Sequence, residues 1–142
     1  MGKPIYEVER RFELPIGHAL RKHKSLCQSC HGHNIICYVK VRRETLNDND
    51  MVVDFSDLKR IVQIILSTWD HALILNKLDE GKIDKEIAPR VRFIDSDPTA
   101  ERLCEILYRE VKSLLPTIDK ELKLVEVRIF ENGNSQAIYM EE

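Results

Sequence analysis

The chain has 142 residues, 43% of them hydrophobic and 32% charged, with a formal net charge of −2, which suits one soluble domain, residues 1–142, with a sizeable buried core. That balance gives no global attraction to nucleic acid or to an acidic membrane surface. No apolar run reaches bilayer length, the N-terminus lacks the apolar stretch of a signal peptide, and Tyr6 stands where a myristoylation signal needs Ser or Thr, so a cytoplasmic protein is expected.

Residues 5–14, "IYEVERRFEL", alternate Tyr6, Val8 and Phe12 against Glu7, Glu9, Arg11 and Glu13, as a half-buried strand does. Residues 33–44, "HNIICYVKVRRE", give a second strand with His33, Ile35, Cys37, Val39 and Val41 on one face. "TLNDNDM" (45–51) is a turn cluster. The period then changes: Phe55, Leu58, Ile61, Val62, Ile65, Leu66 and Trp69 recur at helical spacing behind Asp54 as N-cap. Residues 77–94 form a charged, weakly patterned excursion, with a short strand at "RVRFI". A second helix is expected from Asp97 as cap and Pro98 at the first helical position, with Leu103, Ile106, Leu107, Val111 and Leu114 buried and Pro116 closing it. "ELKLVEVRIFE" and "SQAIYMEE" read as a closing hairpin around the turn "NGN", with Val125, Val127 and Ile129 on one face of the first strand and Glu131 prolonging it. The order predicts an α+β fold, a four-stranded antiparallel sheet with two helices on one face, whose open edges invite pairing with other subunits.

Four cysteines are too few for a disulfide scaffold, and Cys37 and Cys104 lie in apolar stretches as small core residues. "CQSCHGH" (27–33) is different. In a strand, His31 and His33 point to one side, Gly32 between them lets backbone or metal come close, and His18 at the end of the first strand supplies a third imidazole if the two strands pair. Three histidines leave a fourth tetrahedral position open, the arrangement of catalytic zinc. A closed site of Cys27, Cys30, His31 and His33 is a second reading, although the adjacent Cys30 and His31 would point apart. Unliganded histidines are a third. Spacing alone leaves all three open, with the open three-histidine site in front. A thiol near a metal is drawn toward its reactive thiolate, which singles out Cys27. Asp70 beside His71 has the form of a proton relay, or simply of a helix end.

An isolated early histidine (His18), "CQSCHGH", "VVDFSDLK", "DHALILN", "DPTAE" and a glutamate in "RIFENGNSQAIY" occur in one order along nearly the whole chain. In this the chain resembles the 6-pyruvoyltetrahydropterin synthase superfamily, in particular the 6-carboxytetrahydropterin synthases of the queuosine (7-deazaguanine) route. The resemblance implies the tunnelling fold, with sheet edges joined into a barrel, commonly a homohexamer, and active sites between subunits. It implies Zn²⁺ on His18, His31 and His33, Cys27 as catalytic base with Asp70 and His71 as relay partners, Glu131 as the pterin anchor, and Thr99 and Glu101 lining the pocket. The implied reaction is a carbon–carbon lyase converting 7,8-dihydroneopterin triphosphate to 6-carboxytetrahydropterin, acetaldehyde and triphosphate. Three residues between Cys27 and His31 match the carboxy branch; the animal-type pyruvoyl enzymes have a longer gap, and a folate-linked branch has glutamate in place of Cys27. The alternatives are a pyruvoyl-type synthase, a non-catalytic pterin-binding oligomer, and a zinc-stabilised interaction module. Arg21, Lys22 and Lys24 are the nearby cations for the triphosphate.

Overall fold

The computed structural model describes residues 2–142. The elements in chain order are β1 (Tyr6–His18), β2 (His31–Arg43), α1 (Phe55–Leu66), β3 (Ala72–Asn76), β4 (Val91–Ile94), α2 (Ala100–Leu114), β5 (Lys123–Asn132) and β6 (Ser135–Tyr139), with single 3₁₀ turns at Leu26–Gln28, Lys77–Asp79 and Leu115–Thr117. The fold is α+β as expected, but the sheet has six strands rather than four, in the order β4-β3-β1-β2-β5-β6. β3 runs parallel to both β1 and β4, so the sheet is mixed. "ALILN" carries no alternation because four of its five residues are buried, and a continuous apolar run does not advertise a strand.

The long β1–β2 hairpin is the frame. Its register is unbroken from Tyr6 opposite Arg43 to His18 opposite His31. Even-numbered β1 residues from Phe12 to His18 and odd-numbered β2 residues from Ile35 to Val41 face the core, where α1 and α2 cover them. Leu58, Ile61, Val62, Ile65 and Leu66 of α1 and Leu103, Cys104, Leu107, Tyr108 and Val111 of α2 supply the opposing layer. Cys37 and Cys104 are fully buried, and loss of hydration pushes the Cys104 thiol up to about 12.

Four local expectations change. Phe55 is 52% exposed, because it opens α1 ahead of the buried stripe. α1 stops at Leu66, and Trp69 reaches the core from the turn that follows. The cap of α2 is Thr99, whose hydroxyl oxygen accepts from the Arg102 N–H at 3.2 Å; the Asp97 carboxylate turns inward instead. Val125 does not share the face of Val127 and Ile129. Lys40 pairs with Glu126 and Val41 with Leu124, so Val125 is the extra residue of a bulge, and the core face passes to Leu124 and Leu122.

Candidate active site

The hairpin register assembles the histidines. His18 lies directly across from His31, and His33 across from Ile16, all at positions of core-facing parity at one end of the sheet. The three rings approach in pairs, with centroids 4.5, 4.9 and 4.9 Å apart. One ligand nitrogen from each lies within 4.8 Å of the others. A Cβ on Gly32 would meet the Ile16 carbonyl oxygen at 3.3 Å, so this glycine admits neighbouring backbone.

Hydrogen bonds fix the tautomers. His18 Nδ1 lies 2.8 Å from the Pro98 carbonyl oxygen and His31 Nδ1 lies 2.7 Å from that of Ser29. A carbonyl can only accept, so both Nδ1 atoms carry the proton when neutral and both Nε2 atoms keep a lone pair. The Nε2 atoms of His18 and His33 are buried with no hydrogen-bond partner. Burial lowers the pKa of His18 below its ordinary value, against the opposing pull of the Pro98 carbonyl and Glu131, so it is neutral at pH 7. Three convergent imidazoles, two of them with a buried and unpartnered Nε2, make a cluster that can hold a divalent transition-metal ion. Neither Cys27 nor Cys30 belongs to it, so the closed Cys₂His₂ alternative is not formed.

Around this cluster the chain gathers three further groups. Cys27 sits half-buried in a 3₁₀ turn, its carbonyl accepting from the Leu20 N–H at 2.9 Å, which closes loop 19–27 onto the end of β1. Glu131 is the unpaired residue of a second bulge in β5, between Phe130 opposite Gln136 and Asn132 opposite Ser135. Its Oε1 is 3.7 Å from His18 Nε2; since His18 is neutral, this is proximity rather than an ion pair. Thr99 and Glu101 sit at the start of α2, next to the Pro98 carbonyl that orients His18.

Sequence reasoning missed the supports. Buried Asp97 accepts from the Lys22 N–H at 2.9 Å and from Asn76 Nδ2 at 3.0 Å, tying loop 19–27 to β3 and to the start of α2. The available signal was polarity: Asn76 ends an apolar run, and a buried amide needs partners. The carbonyls of Ser29 and Pro98 leave no trace in side-chain identity.

Asp70 and His71 pair with each other, Oδ1 to Nδ1, at 2.7 Å. His71 has φ of 58°, a left-handed conformation rare outside glycine, and donates its backbone N–H to the Pro15 carbonyl. It lines a surface groove with Pro15, Gly17 and Leu73, at odd-numbered positions on the side of β1 away from the core. The chain therefore brings Cys27, Glu131 and Thr99 to the histidine end, whereas His71 lies at the groove on the far side of β1 and Asp70 beside the C-terminal turns of α1.

A long hairpin carrying at its end three histidines that could hold a metal ion, with two helices over one face, defines a protein of the tunnelling-fold class. Residues 7–142 match the profile of the 6-pyruvoyl tetrahydropterin synthase family, and the chain belongs to that family. Among its relatives is the 6-carboxy-5,6,7,8-tetrahydropterin synthase of Haemophilus influenzae, 28% identical over 96% of this chain and all of that protein. The protein of the same name from Aquifex aeolicus is 27% identical over 96% of this chain and 99% of its own length. Among solved structures, the Caenorhabditis elegans 6-pyruvoyl tetrahydropterin synthase superposes with a TM-score of 0.75 at 25% identity, covering both chains completely. An uncharacterized Wolinella succinogenes protein shares the fold with a TM-score of 0.82 at 18% identity, over 98% of this chain and 99% of that one.

Proposed function

We propose that this pterin synthase is a zinc-dependent 6-carboxytetrahydropterin synthase, converting 7,8-dihydroneopterin triphosphate and one water to 6-carboxy-5,6,7,8-tetrahydropterin, acetaldehyde and triphosphate in the 7-deazaguanine route. The observation that carries this reading is the trio of histidines with lone pairs at one point and Cys27 in the adjoining loop, on a chain similar along its length to proteins of that name. Held by His18, His31 and His33, zinc would supply Lewis acidity toward the oxygens of the substrate side chain. Glu131 anchors the pterin by accepting two parallel hydrogen bonds from its amino and ring N–H groups. Thr99 and Glu101 line the ring pocket. Cys27 takes a proton as thiolate and returns it as thiol.

The Asp70 carboxylate holds the Nδ1 proton of His71, which leaves Nε2 as the proton-carrying end of a relay. Because His71 faces away from its own chain's histidines, it serves Cys27 of another copy, in a homohexamer that joins the open edges of β4 and β6. The test is product identity. Protein loaded with zinc and given 7,8-dihydroneopterin triphosphate is expected to yield 6-carboxytetrahydropterin by mass spectrometry. A pyruvoyl product would move it to the elimination branch.

A further inference from the structure

Cys30 has no part in the chemistry described so far. It is exposed, stands outside the histidine cluster and follows Cys27 by three residues, whereas Cys37 and Cys104 are buried in the core. Cys27 is half-buried, and Gln28 and Ser29 between the two cysteines are both exposed. A small molecule that reaches Cys27 can therefore reach Cys30 as well.

The backbone between them is one rotation away from a disulfide ring. Cys27 and Gln28 belong to the 3₁₀ turn Leu26–Gln28, which the Ser29 N–H closes on the Leu26 carbonyl at 3.1 Å. Ser29 then leaves the turn with φ −76° and ψ 150°. That φ is close to the helical range, so it is ψ that carries Cys30 out of line with Cys27. In a continued 3₁₀ turn, side chains three apart eclipse, with their Cα atoms about 6 Å apart. A disulfide requires roughly 4.4–6.8 Å. The ψ of Ser29 also aims the carbonyl that accepts from His31 Nδ1 at 2.7 Å. The rotation that brings the cysteines together takes that carbonyl away from a metal-site imidazole.

We propose that Cys27 and Cys30 form a reversible disulfide that turns the site off under oxidising conditions, with Ser29 as its hinge. The oxidant is a low-molecular-weight disulfide, R–S–S–R. Cys30 Sγ attacks one of its sulfurs and expels a first RSH, leaving a mixed disulfide; Cys27 Sγ then attacks Cys30 Sγ and expels the second. The oxidant's S–S bond breaks, the Cys27–Cys30 bond forms, and the two cysteine protons leave on the two RSH. The closed form has no thiol at Cys27 to carry a proton and no carbonyl on His31 Nδ1. Its effect on catalysis rests on the lyase reading; its formation does not.

The test treats zinc-loaded, full-length protein with oxidised glutathione, then alkylates in denaturant and maps the cysteines by tandem mass spectrometry. In wild type, Cys27 and Cys30 should lose alkylation together as one internal bridge, with Cys37 and Cys104 still alkylated, and dithiothreitol should restore both. Acetaldehyde release should fall with the bridged fraction, and zinc affinity in a chelator competition should be about tenfold weaker or more in the bridged form. Cys30→Ser should turn over like wild type when reduced and need at least tenfold more oxidised glutathione for the same loss. Mixed disulfides without the bridge, or equal oxidant sensitivity in Cys30→Ser, would overturn the switch. Equal zinc affinity in the bridged and reduced forms would overturn Ser29 as its hinge. A bridge that forms in protein with no turnover even when reduced would uphold the disulfide and sink the lyase reading.

Discussion

His18 shows how much chemistry one side chain carries when its surroundings are fixed. It is 1% exposed, its Nδ1 is held by a carbonyl 80 residues away, and its Nε2 faces His31, His33 and Glu131. Its pKa lies below the ordinary 6.5, so the unfolded chain takes up a proton near that pH which native His18 resists. Metal-free protein should therefore lose stability as pH falls through about 6.5, until His18 protonates in the native state as well. Thermal unfolding between pH 8 and pH 5 checks this: the midpoint should fall more steeply in wild type than in His18→Asn. For Glu131, replacement by Gln removes one of two parallel acceptors, so pterin affinity should drop by about tenfold or more in a direct binding assay, with metal content unchanged. The three histidines were legible in sequence because strand parity and an early isolated His define a cluster. Their tautomers were not, since backbone carbonyls from distant residues set them.

The elements divide along the same line. Helix α2 was legible from the spacing of Leu103, Leu107 and Val111, all essentially inaccessible to water. Leu107→Ala should cost about 2–5 kcal/mol in chemical denaturation, through lost burial and the cavity left behind. Its cap was misplaced because Asp97, the stronger-looking candidate, is engaged by Asn76 and the Lys22 backbone. β3 stayed hidden because a strand buried on both faces has no period two, and the bulges at Val125 and Glu131 break the period where it would otherwise be read. The second bulge is the more consequential, since a residue freed from the ladder can aim its carboxylate at the histidine end.

At the scale of the whole molecule, the fold separates what the proposed chemistry needs together. Cys27 and the histidines lie at one end of the hairpin, whereas His71 opens onto the groove on the far side of β1. A homohexamer of 16.6 kDa chains predicts about 100 kDa by light scattering, and a monomer would leave the relay without a partner. Mixing Cys27→Ala with His71→Ala, each expected to be strongly impaired alone, should restore part of the activity by forming some sites with both residues intact. Acetaldehyde release from 7,8-dihydroneopterin triphosphate, wild type against Cys27→Ala, decides whether this chain is a carbon–carbon lyase that uses Cys27. Wild type should release one acetaldehyde per pterin consumed, and the variant should react about 10²–10⁴-fold more slowly with pterin still bound. Consumption of the substrate without acetaldehyde, or acetaldehyde at an undiminished rate from the variant, would contradict that assignment.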